Sequence, residues 1–156
     1  FDETIWAYGQ TSFRCDLKGG QWGWVYEYTG TAGSSSSTPL IAGGGDETCT
    51  DADSPSTVGT VVGDLNVSND GSNLEIEYSV TKDDLVLSEA HLWVGCNLRD
   101  LPRNNGNNTP PGKLPYSAKD LKTDSHTFNI DTKKLGCTEN KFFIAAHGVV
   151  LSPTEL

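Results

Sequence analysis

Methionine is absent from this chain of 156 residues, even at position 1, which is Phe1. A chain without its initiator residue reads as a processed product or a fragment, with any secretory leader already removed. Basic residues are scarce: 11 Lys and Arg stand against 21 Asp and Glu, a net charge of −10. That balance argues against nucleic acid as a partner, because its binders carry basic patches. It argues equally against a polybasic contact with anionic lipid. No apolar run approaches the roughly 20 residues of a spanning helix, so no membrane insertion is expected. There is no C-x-x-C pair for a metal or redox centre. There is no H-E-x-x-H pair and no G-x-S-x-G nucleophile elbow. The chain is therefore read as a non-enzyme.

Helix signals are also thin; Ser117 to Leu121 is the one stretch that reads as a helical turn. Strand signals fill the chain instead. Short apolar or aromatic runs occur at Ile5 to Tyr8, Gln21 to Tyr28, Leu40 to Ala42 and Val58 to Val67. Leu74, Ile76, Tyr78 and Val80 then alternate with Glu75, Glu77, Ser79 and Thr81, the period-2 pattern of a strand with one wet face. Asn69-Asp70-Gly71 before it is turn chemistry. His91 to Gly95, Ser125 to Ile130 and Lys141 to Val150 bring the set to about eight strands. Gly30 to Pro39, with Ser34 to Ser37 inside it, reads as a mobile loop able to carry sugars on its hydroxyls. Asn97 to Pro115, with four prolines and five asparagines, is long enough to suggest a functional or disordered loop.

Several residues are candidates for chemistry. On a strand, Trp22, Trp24, Tyr26 and Tyr28 share one face. Exposed, they would make a sugar-binding platform. Buried, they would wall a core that has few other large apolar residues, and this is the favoured reading. His91 and His147 sit in apolar runs; if their strands are neighbours, they and Glu3 or Glu89 could hold a metal. The favoured alternative is a pair of neutral, hydrogen-bonded structural histidines. The acidic loop 46–53, with Asp46, Glu47, Asp51 and Asp53, could offer oxygens to Ca2+, and no other cofactor is expected. A solvated acidic loop is the favoured reading there. Glu75 and Glu77 stand about 7 Å apart on one strand face, within reach of a glycosidase pair, yet they alternate with apolar residues as wet positions do. Asn66-Val67-Ser68 and Asn107-Asn108-Thr109 are glycosylation sequons, the second followed by Pro110. Cys15, Cys49, Cys96 and Cys137 are well spaced and read as two disulfides, which places the chain in an oxidising, extracellular setting.

"ETIWAYG", "WGW", "AGGG…C", "VGTVVGDLNV", "SEAHLWVG", "LPYSAKDL" and "FFIAAHGVV" follow one another along the chain. In that order they resemble an uncharacterised β-rich domain of secreted and surface proteins from bacteria and some microbial eukaryotes. The resemblance implies an extracellular β-domain and brings no activity. It also implies pairing of Cys15 with Cys49 and of Cys96 with Cys137.

The reading is thus a single secreted domain over 1–156, an antiparallel all-β sandwich or jelly roll. Its expected role is a structural or adhesive module, a subunit of a surface assembly or fibre whose partners are itself, other surface proteins or glycans. The alternatives are a carbohydrate-binding module and a small glycan hydrolase. Assembly is expected to use the strand-like run Thr4 to Tyr8, pairing with a neighbour's open sheet edge.

Overall fold

The computed structural model describes residues 2–153. Ten strands run β1 Asp2–Ala7, β2 Thr11–Ser12, β3 Trp24–Thr29, β4 Ser35–Ala42, β5 Thr60–Asn69, β6 Asn73–Val80, β7 Val86–Gly95, β8 Tyr116–Ala118, β9 Ser125–Asp131 and β10 Lys141–Leu151. Two single-turn helices, α1 Pro55–Val58 and α2 Thr132–Leu135, interrupt them. The eight expected strands are all present; β2 and β8 add two short ones. The stretch expected to make a helical turn at 117–121 starts in β8 instead, paired with β7.

All ladders are antiparallel, and the strands form one continuous sheet rather than two separate ones. β10 is its axis. One edge of β10 carries β7 along almost its whole length. The other edge carries β3 beside Lys141–Ile144 and β1 beside His147–Leu151. From β1 the sheet continues through β4, β5 and β6 to β9. It folds back on itself as it goes, so that β5, β6 and β9 face β7 and β10 across a shared core. Tyr78 stitches the two halves: its buried hydroxyl donates to the His91 carbonyl at 2.8 Å, and burial pushes its pKa well above the ordinary value.

Period-2 alternation builds this core. Leu74, Ile76, Tyr78 and Val80 of β6 point in with Leu65 and Val67 of β5, and Ile144 and Ala146 of β10 meet them from the other half. A second apolar cluster lies on the outer face of the β1–β10–β7 region. Trp6, Trp24, Trp93, Ile41 and Ala145 gather there under Phe13 of the 9–23 loop and Leu101 and Leu114 of the 97–115 loop. Central strands covered on both faces read as unbroken apolar runs, which is how "FFIAAHGVV" reads. The long 97–115 segment is therefore a packed cover. Asn108 Oδ1 accepts from the Gly20 and Gln21 amides at 2.7 and 3.0 Å, and the Thr109 amide donates to Gln21 Oε1.

Two serine-rich and aromatic stretches depart from expectation. Ser34–Ser37 is not a mobile loop: β4 begins at Ser35. The Tyr26 hydroxyl bonds the Ser36 hydroxyl, and the Tyr28 hydroxyl donates to the Ser34 carbonyl at 3.1 Å. The aromatic row is not one face of one strand, because Gly23 at φ +139° keeps 21–23 out of β3. Tyr26 and Tyr28 enter the main core, whereas Trp24 enters the second cluster with Trp22 half-buried against it. With Trp24, Tyr26 and Tyr28 buried, the row is not an exposed sugar platform.

β1 also differs from the expected free terminal strand. It lies inside the sheet, bonded to β10 on one edge and to β4 on the other. Ile5 and Ala7 fill the main core and Trp6 the second cluster of the same molecule. The chain can turn away after Ala7 because Gly9 lets the backbone pass against Val25, where a Cβ would sit 2.0 Å from the carbonyl oxygen.

Candidate functional site

Disulfides join Cys15 to Cys49 and Cys96 to Cys137, and no described cysteine is free. These are the pairs the resemblance implies. The first holds the 46–53 acidic loop against the turn that follows β2, and a cleft of about 470 Å³ opens beside it, lined by Tyr8, Trp24, Glu47 and Asp53 among others. Within it, a sulfur, a Glu47 oxygen and an Asp53 oxygen all lie within 4.8 Å of one another.

The two carboxylates live in different environments. Asp53 organises the loop: one oxygen accepts from the Thr48 amide and hydroxyl at 2.8 and 2.6 Å, the other from the Cys49 amide at 2.8 Å. Those bonds, that of the Thr48 side chain foremost, hold its pKa below the usual carboxylate value. The Glu47 side chain is only 3% exposed. Burial raises its pKa, against the pull of the Ser12 hydroxyl, Arg14 and the Trp24 indole. Its Oε1 has no hydrogen-bond partner among the described residues. The Arg14 guanidinium stops 3.8 Å away, because it donates to the carbonyls of Gly45 and Glu47 at 3.1 and 3.3 Å. Tyr8 on the opposite wall has its hydroxyl pKa raised by burial first and by Asp53 and Glu47 next. Asp46 and Asp51 are exposed and stand apart from the close cluster. Arg14 and Tyr8 are not found by sequence reasoning, whereas Glu47 is, as one carboxylate of the acidic 46–53 loop.

The histidines do meet. His91 and His147 are direct partners across β7 and β10, their ring centroids 5.5 Å apart. His91 Nε2 lies 3.1 Å from Glu89 Oε1, while His147 packs edge-on against Trp6 at 4.8 Å. Among the described residues no carboxylate joins both rings in a close ligand cluster, and Glu3 points instead toward Gly43. His147 Nδ1 is buried without a partner. Burial, with a contribution from His91, pushes the His147 pKa down to about 3. The unfolded chain, with its imidazole near 6.5, then binds a proton that the folded chain refuses across that interval. Stability accordingly falls as pH drops from 6.5 toward 3, at up to about 1.4 kcal/mol per pH unit. Urea unfolding at pH 6.5 and pH 4.5 is expected to differ by about 2 kcal/mol from this group. A His147→Gln variant should lose most of that difference; equal pH dependence in the variant would refute the assignment.

The outer face of β4, β5 and β6 is wet and shallow. Ser35, Ser37, Asn66, Ser68, Glu75 and Glu77 line a depression of about 350 Å³. Asn66 of the first sequon does not stand at the wet tip of the β5–β6 hairpin. It sits instead in the ladder of β5, opposite Ser37 and Glu77, half-buried and donating to Glu77 Oε1 at 2.9 Å. The turn itself is built by Asn69, whose side-chain oxygen accepts from the Gly71 amide, and by Asp70, which accepts from the Ser72 and Asn73 amides. Asn107 is exposed, but Thr109 of its sequon is fully buried.

Scans against protein-family models, curated proteins and solved structures give no match to this chain.

Proposed function

We propose that the chain is a non-enzymatic structural or adhesive module, built to join a surface assembly through its sheet edge. The observation that carries this reading is the free edge of β9. Among the described residues β9 pairs with β6 alone. Apart from Ser125, whose amide and carbonyl meet the Thr123 hydroxyl, it turns an open row of backbone groups outward. Its sequence, SHTFNID, has no lysine, no proline and no bulge, the usual devices that keep an edge from pairing. The other edges are defended. β8 is three residues long, and Gln10 closes the β3 edge by bonding both the amide and the carbonyl of Glu27. Strand addition at β9 would therefore be the favoured mode of joining.

Two disulfides, and the lack among the described residues of any helix long and apolar enough to cross a membrane, are compatible with secretion. Under the proposal, exposed Asn107 is the better placed of the two sugar acceptors. Light scattering and negative-stain imaging across a concentration series test the reading. The wild-type protein is expected to form elongated assemblies, and Thr127→Lys on β9 to remain monomeric with its fold intact. A wild-type protein that stays monomeric at high concentration, with and without Ca2+, defeats it.

A further inference from the structure

We infer that Glu47 and Asp53 form a binding site for a hard divalent cation, Ca2+, in the cleft beside the Cys15–Cys49 disulfide. Three observations converge on it. First, Glu47 presents an oxygen with no hydrogen-bond partner on a side chain that is 3% exposed. A buried carboxylate oxygen without a hydrogen bond is costly, and Arg14, anchored on two backbone carbonyls, comes no closer to it than 3.8 Å. Second, Asp53 is held in place by the Thr48 and Cys49 amides and the Thr48 hydroxyl, with Oδ2 taking the single bond from Cys49. A lone pair is left on that oxygen, and its position is set in advance. Third, oxygens of the two carboxylates lie within 4.8 Å of each other. That span is twice a Ca–O bond of about 2.4 Å, so one ion can touch both without moving the backbone.

The chemistry of the donors selects the ion class. The sulfur in the cluster belongs to a disulfide, so no thiolate is offered and soft metals lose their preferred ligand. What remains is oxygen, from Glu47 and Asp53 directly and from exposed Thr50 and Asp51 on the same cleft wall through water. Mg2+ demands shorter bonds and near-octahedral order, which this open, two-carboxylate cleft does not supply. The bound ion would tie the acidic loop to the turn after β2 and neutralise the charge buried at Glu47.

Tb3+ is the probe, since it replaces Ca2+ and is excited through a nearby indole; Trp24 lines the same cleft as Glu47. Excitation of tryptophan should give saturable Tb3+ emission that Ca2+ displaces and Mg2+ does not. Glu47→Gln, which keeps the shape of the side chain, should weaken Tb3+ binding by about tenfold or more, since affinity follows ligand charge. Asp46→Asn should leave it unchanged. Independently of any variant, the wild-type melting temperature should rise in millimolar Ca2+ relative to EDTA, as ligand binding to the folded state requires. No saturable emission, no Ca2+-dependent shift, or an undiminished response in Glu47→Gln would each overturn the site.

Discussion

A chain lacking residues 1–8 is expected not to fold. β1 is a central strand, so its removal strips hydrogen-bond partners from β10 and β4 together. Each amide or carbonyl left buried without a partner costs about 1–3 kcal/mol. Ile5, at 0% exposure, and Trp6, at 3%, anchor two different apolar clusters. Burial of such side chains contributes about 1.5–3 kcal/mol each. The combined loss exceeds the roughly 5–15 kcal/mol that stabilises a domain of this kind. Far-UV circular dichroism and urea titration of the truncated protein should show no cooperative transition. A truncated chain that unfolds cooperatively, with a native-like β signal, would mean that β1 is dispensable and that its pairing has been misassigned.

Breaking either disulfide should produce the second largest loss. The bridges span 34 and 41 residues, for which loop-closure entropy gives about 4 kcal/mol each. The structure distinguishes their consequences. Cys137 packs against the main core beside Leu135, so losing Cys96–Cys137 should loosen the β7–β9 end of the sandwich. Losing Cys15–Cys49 should release the acidic loop and, with it, the wall of the Glu47 cleft. Paired Cys→Ser variants measured by urea unfolding separate the two effects. Losses under about 1 kcal/mol would show that the unfolded chain is already compact enough to make the cross-links redundant.

Legibility of the fold tracked how local its cause was. β6 was plain because Leu74, Ile76, Tyr78 and Val80 alternate against wet neighbours, and this pattern needs no partner to be seen. The Gln21–Tyr28 stretch was half-legible. Its rings do wall the core, but the positive φ at Gly23 takes Trp22 out of the strand, and a single glycine does not announce where a strand will break. Ser34–Ser37 misled because serine gives no packing signal. The tyrosine hydroxyls that draw it into β4 come from a neighbouring strand. β1 looked like a free end because its partners, β4 and β10, lie far along the chain. The Glu47 cleft was hidden for the same reason. Arg14 and Trp24 reach Glu47 from positions more than 20 residues earlier, and burial created by such contacts leaves no local periodicity. The histidines were the intermediate case: their strands are neighbours as anticipated, yet among the described residues no carboxylate completes a ligand set around the two rings.

The pairing of Asp2 with Leu151 also sets a timetable. A ribosome must release the last strand before the first one acquires that partner, and until then Ile5 and Trp6 travel exposed on a nascent chain. The β5–β6 hairpin, closed by its own three-residue turn, is free to form early in synthesis, whereas the centre of the sheet has to wait until β10 has been made. Long-range closure of this kind is slow and leaves apolar segments open to wrong partners. Slowing translation of the β10 segment should therefore lower the yield of native protein, and a holdase that covers the first strand should restore it.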